Sequence, residues 1–138
     1  MFRLAAILEF LLAIGHIACL PWLEPLFKMY GIDDIMSGIA SYGAILPYII
    51  TIIIALCFAL CGLYALSAAG MIRRLPLLWT GIYFIAFVFL SRAGIGCYLM
   101  INDGRYPLTD VSSVIVSGII GLLYLFGAIE RFKSTRKC

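Results

Sequence analysis

The sequence predicts an all-α polytopic membrane protein, a four-helix up-and-down bundle with a short interfacial outer segment between its first two spans. Three observations predict it. The 138 residues are 64% hydrophobic and only 12% charged, against about 25% charged in soluble domains. A mean hydropathy of +1.12 leaves too little polar surface to cover a water-soluble globule. The apolar residues also fall into four long runs, each sufficient to cross roughly 30 Å of hydrocarbon at about 1.5 Å per residue. The runs are continuous, unlike the short alternating segments of a β-barrel. One transmembrane domain accounts for residues 1–138.

The first span is expected over 3–20. Arg3, an apolar run and Cys19 loosely imitate a lipoprotein signal, but Glu9 interrupts the apolar core and His16 stands where such signals carry leucine. A retained span is therefore expected. Pro21 and Pro25 break it, because the residue before a proline is pushed out of the helical region. Pro25 suits the first position of a short helical turn that Gly31 ends. Trp22, Leu23, Leu26, Phe27 and Tyr30 form an aromatic and aliphatic group suited to the headgroup level. Asp33 or Asp34 is placed to cap a further short helix. Residues 21–45 thus form the outer loop.

The second span is expected over 46–66, with Pro47 in the first turn, where its missing N–H costs little. Residues 67–75 form the inner turn, centred on Arg73 and Arg74. The third span follows over 76–98, and Asn102-Asp103-Gly104 is a turn signal. Asp110 is the expected N-cap of a fourth span over 111–129. The charged segment 130–138 is expected to fray.

Basic residues set the orientation. Arg3, Arg73, Arg74, Arg131, Lys133, Arg136 and Lys137 fall on one side of these spans, and Lys28 and Arg105 on the other. Both termini are therefore expected in the cytoplasm. The opposite face is mildly acidic, through Glu24, Asp33, Asp34, Asp103 and Asp110. Nothing in the basic residues suggests nucleic acid. The expected partners are the lipid bilayer and either a larger membrane-protein complex or further copies of the chain.

The hairpin Leu63-Tyr64-Ala65-Leu66-Ser67-Ala68-Ala69-Gly70, followed by Ile72-Arg73-Arg74-Leu75-Pro76-Leu77, resembles a motif in small uncharacterised bacterial membrane proteins of about this length. A single histidine in the first span, here His16, is similar too. The likeness covers roughly the first two thirds of the chain. It implies a four-helix protein of the bacterial inner membrane and brings no activity.

Three ionisable groups lie within spans: Glu9, His16 and Arg92. Each is costly at mid-bilayer, and such residues face a bundle interior, a water-filled cavity or one another. Counted from the inner ends of their spans, Glu9 lies about 9 Å deep, His16 about 20 Å and Arg92 about 24 Å. Glu9 and His16 are seven apart and share a face. Tyr64, Thr80 and Tyr83 approach the depth of Glu9. These residues are drawn as one interior polar column, with Glu9 and its tyrosine and threonine partners below and His16 with Arg92 above.

The column has a functional and a structural reading. In the first, Glu9 and His16 move protons, and Arg92 binds an anionic headgroup, a carboxylate or a quinone oxygen. In the second, Glu9 bonds a tyrosine, His16 bonds a carbonyl one turn away, and Arg92 snorkels to the outer interface. In the last span Ser113, Ser117 and Gly121 repeat every four residues beside Gly118. Such a seam of small residues lets helices approach closely in lipid, within one copy or between two.

Cysteines stand at 19, 57, 61, 97 and 138 without zinc-binding spacing. They are expected to serve as small buried hydrophobes, although Cys57 and Cys61 share a face that with His16 offers soft-metal ligands. Cys19 and Cys97 suit a periplasmic disulfide if their helices are neighbours. No metal and no cofactor is assigned. No nucleophile elbow, P-loop or paired-carboxylate pattern is present, so no enzyme activity is expected.

Three functions compete. The first is a non-enzymatic accessory or assembly subunit that binds a larger membrane partner or lipid. The second is a small oligomeric proton-coupled transporter using Glu9: Ala5-Ala6-Ile7-Leu8-Glu9-Phe10 resembles the small multidrug resistance family, from which the long first outer loop, His16 and Arg92 depart. The third is a quinone- or redox-linked membrane protein.

Overall fold

The structure is a computed structural model. It describes residues 1–104 and 108–135, with only the backbone for 103 and 132–135. The expectations for Arg105, Arg136, Lys137 and Cys138, and for the side chains of Asp103 and Lys133, lie outside the described residues. Among the described residues the chain is helical, without strands. The helices are α1 (Phe2–Ala18), α2 (Leu23–Met29), α3 (Asp33–Ala40), α4 (Leu46–Ala68), α5 (Leu78–Asp103) and α6 (Leu108–Thr135). Three of them, α4, α5 and α6, are long and apolar enough to cross a membrane. A fourth crossing is added if α1 and the segment Leu20–Met29, bent by 51° at their junction, count as one span.

Local chemistry explains most helix ends. The bend falls at the 3-10 turn Leu20–Trp22, which contains Pro21. Gly31 ends α2 with φ +64. Its N–H bonds the Lys28 carbonyl and the Ile32 N–H bonds that of Phe27, the paired closure of a Schellman motif. Gly70 repeats this after α4, with φ +74 and bonds from Gly70 N to Ser67 O and from Met71 N to Leu66 O. Both positions need a left-handed backbone, which glycine adopts without strain. Pro47 lies in the first turn of α4.

Other ends differ from expectation. Helix α2 begins at Leu23, so Pro25 is inside its first turn rather than at its first position. Asp33 and Asp34 occupy the first turn of α3, whose N-cap is Ile32, with no side-chain cap bond. Helix α5 continues through Asn102 and Asp103, and only Gly104, at φ +62, leaves it. Helix α6 starts at Leu108, which puts Asp110 in the first turn rather than at the cap. A carboxylate there still faces the positive end of the helix. The α6 backbone is helical to Thr135, so residues 130–135 of the expected tail continue the helix.

Helix α5 begins at Leu78 because Leu77 is left-handed, with φ 52 and ψ 32. Leu77 is also 77% exposed, so no packing rewards its side chain there. A left-handed leucine costs about 1–2 kcal/mol. Leu77→Gly is therefore expected to stabilise the protein by about 1 kcal/mol, read by thermal unfolding in detergent. An unchanged or lower midpoint would contradict the strain.

Sequence alone treats the chain as one domain; its packing divides into two compact units, one of Met1–Leu8 with the residues from Cys61 onward, the other Glu9–Leu60. In the first unit α5 and α6 pack along each other. Val114 packs over Gly96, Ala93 over Gly118 and Leu90 over Gly121, which defines an antiparallel register. Ile82, Ile120 and Tyr124 are fully buried. The Phe2 ring meets Tyr124 edge-on at 6.3 Å and lies against Gly127. In the second unit the His16 ring packs on Phe58 at 5.0 Å.

Candidate functional site: the charged groups of the apolar helices

The inner turn is the best-built polar feature. Ser67, 3% exposed, donates from Oγ to the Arg73 carbonyl at 3.2 Å and accepts from the Leu75 N–H at 3.0 Å. Tyr64 donates its hydroxyl to the Pro76 carbonyl at 3.3 Å. Arg131 Nη2 lies 3.5 Å from the Ala68 carbonyl, where a cation meets the negative end of α4. Arg3, Ala68, Ala69, Gly127, Glu130 and Arg131 line one open depression of ≈ 390 Å³. Arg3, Arg73, Arg74 and Arg131 thus gather at one end of this unit. The sequence placed Arg73 and Arg74 in the turn but gave no sign that Ser67 holds it.

Glu9 and the tyrosine and threonine residues expected beside it, Tyr64, Tyr83 and Thr80, fall in different compact units. Glu9 is fully buried, and neither of its carboxyl oxygens has a hydrogen-bond partner among the described residues. Tyr64 spends its hydroxyl on Pro76, while Tyr83, 45% exposed, and Thr80 point away from the interior. Depth along a helix fixes the level of a side chain and leaves its direction open.

His16 is half-buried and holds the carbonyl one turn back, with Nδ1 donating to Leu12 O at 2.8 Å. A carbonyl only accepts, so Nδ1 carries the proton in that bond. Arg92 is exposed and donates from Nη2 to Ser113 Oγ at 2.6 Å. The remaining seam residues meet α5: Gly121 lies under Leu90, and Ser117 is buried. His16 and Glu9 belong to one compact unit and Arg92, Tyr64 and Tyr83 to the other.

The cysteines are less buried than expected. Cys57 and Cys97 are exposed and Cys19 and Cys61 half-buried, and Cys19 and Cys97 carry unbridged thiols. In a lipid-facing helix an exposed thiol remains in an apolar medium, so exposure is no penalty there. The Cys61 carbonyl accepts the Tyr124 hydroxyl at 2.7 Å. Among the described residues no group of three or more His, Cys, Asp or Glu is placed to hold a metal ion. An apolar groove of ≈ 420 Å³ runs within the second unit between α1 and α4, lined by residues that include Phe10, Ala13, Ile17, Ala55 and Ala59. No family model, curated protein or solved structure matches the chain.

Proposed function

We propose that this multi-pass membrane protein is a non-enzymatic accessory or assembly subunit of the bacterial inner membrane. It crosses four times, with both termini cytoplasmic, and binds a larger membrane partner or lipid through its apolar outer surface. The observation that carries this reading is how little of each spanning helix the chain covers itself. The most apolar stretches of α4, α5 and α6 are only 22%, 17% and 33% buried. Surfaces of that extent are solvated by lipid or by another protein. The gathering of Arg3, Arg73, Arg74 and Arg131 at one end supports the orientation. Exposed Trp22 and Tyr30 beside α2 suit the outer headgroup level.

Native mass spectrometry after gentle extraction from the membrane, with lipid and metal analysis of the same sample, tests the reading. A larger complex with this chain at fixed stoichiometry is the expected result. A lone dimer would oppose it.

Glu9, buried and without a hydrogen-bond partner among the described residues, favours a second reading, small oligomeric proton-coupled transport. A carboxyl without fixed donors is able to exchange a proton for a cationic substrate. In liposomes that activity would appear as pH-driven flux abolished by Glu9→Gln. Flux that survives Glu9→Gln would remove this reading.

A further inference from the structure

We infer that Arg92 and Ser113 form a binding site for the phosphate of a membrane phospholipid, in the leaflet at the C-terminal end of α5. The inference deepens the lipid-binding part of the reading above and rests on it.

The register of α5 on α6 shows where the arginine reaches. Leu90 meets Gly121, Ala93 meets Gly118 and Gly96 meets Val114. In that antiparallel register Ser113 stands nearly opposite Cys97 or Tyr98, five or six residues past Arg92 and therefore about 8–9 Å along the helix. The hydrogen bond of 2.6 Å from Nη2 to Ser113 Oγ requires the arginine side chain to extend lengthwise toward the α5 C-terminus. Its head then lies about 8–9 Å short of the helix end at Asp103, by about 1.5 Å per residue. Helix α5 has 26 residues and is about 39 Å long, which exceeds roughly 30 Å of hydrocarbon. The head consequently sits near the hydrocarbon boundary, within reach of headgroups.

The chemistry of the head demands an anion. A guanidinium carries five N–H donors and stays charged. Ser113 is its only partner among the described residues, and no carboxylate forms an ion pair with it there. The head is exposed on the surface of an apolar helix, where an unpaired charge is costly. Ser113 accepts from the arginine, and its own hydroxyl hydrogen is unused in any bond among the described residues. The site therefore offers a planar cationic fork beside a neutral O–H donor. A phosphodiester, with two anionic oxygens and reachable ester oxygens, accepts from both. Every phospholipid of the leaflet supplies one.

The test uses the full chain, delipidated in detergent and titrated by native mass spectrometry with phosphatidylglycerol, phosphatidylcholine and diacylglycerol of matched chains. The expected result is binding of both phospholipids, weakened roughly ten- to hundredfold in Arg92→Gln. Diacylglycerol, which lacks the phosphate, is expected to bind both proteins equally. Ser113→Ala, a mild change to a half-buried residue, is expected to weaken both phospholipids roughly two- to tenfold. It keeps the test valid should Arg92→Gln misfold. Equal phospholipid binding by wild type and a folded variant would overturn the site. So would Arg92-dependent stabilisation by inorganic phosphate alone, without a phospholipid effect. Loss of a partner complex in Arg92→Gln with lipid binding intact would overturn it in favour of a partner's carboxylate. The accessory reading fails separately, through absence of a partner complex from wild-type membranes.

Discussion

Gly121→Val is expected to loosen the α5–α6 pair and to destabilise the protein by about 1–3 kcal/mol. Even the first carbon of a side chain at 121 would lie 2.8 Å and 2.9 Å from Leu90 side-chain carbons and 3.1 Å from the Leu90 backbone nitrogen. The leucine is able to rotate; the backbone is not, except by moving the helices apart. Without a hydrophobic force between helices in lipid, close backbone approach is the main source of their attraction. Separation at this point therefore loses contacts along the seam toward Gly118 and Ser117. Gly94 supplies the control. It lies on the same pair of helices, with nothing within 4 Å of an added Cβ. Gly94→Ala is expected to stabilise by roughly 0.5–1 kcal/mol, the ordinary gain of alanine over glycine in a helix. Chemical unfolding of both variants in one detergent separates the effects by sign. If both fall, or both rise, the seam is not the contact described.

The seam was legible as a pattern because a repeat of four in small residues marks one helical face. Its partner was not, since Leu90 and Arg92 meet it only through the register of two antiparallel helices. The same division runs through the chain. Pro21 and Gly31 act through their own backbone geometry, so the sequence places the breaks they make. Leu77 carries no such sign, since nothing in its own residue type favours the left-handed region that it adopts. Asn102 and Asp103 read as turn formers yet stay helical, and it is Gly104, with its left-handed backbone, that leaves α5. Among the charged groups, depth was readable from residue counts. Direction was not: Tyr64 donates to the Pro76 carbonyl, and Tyr83 and Thr80 are exposed.

Glu9 carries the other large effect. Glu9→Met is expected to raise the stability of the isolated protein by about 1–3 kcal/mol. The carboxyl is fully buried and has no hydrogen-bond partner among the described residues. Burial without a partner is costly to any carboxyl and most costly to a charged one. Methionine removes that cost, and its unbranched, flexible chain adapts to the space that glutamate leaves. Glu9→Gln is expected to change stability little, since it keeps the shape and leaves an unsatisfied polar group in the same place. Thermal unfolding of the three proteins in one detergent gives the order Met above Glu, with Gln close to Glu. A fall in the methionine variant would mean that the carboxyl is satisfied in the membrane-extracted protein by something outside this chain, such as a retained ligand or a partner's donor. A rise would mean that the chain keeps a destabilising acid in its interior. A residue held at such a cost is explained by what it does, and the Glu9→Gln flux assay then becomes the decisive comparison between accessory binding and proton-coupled transport.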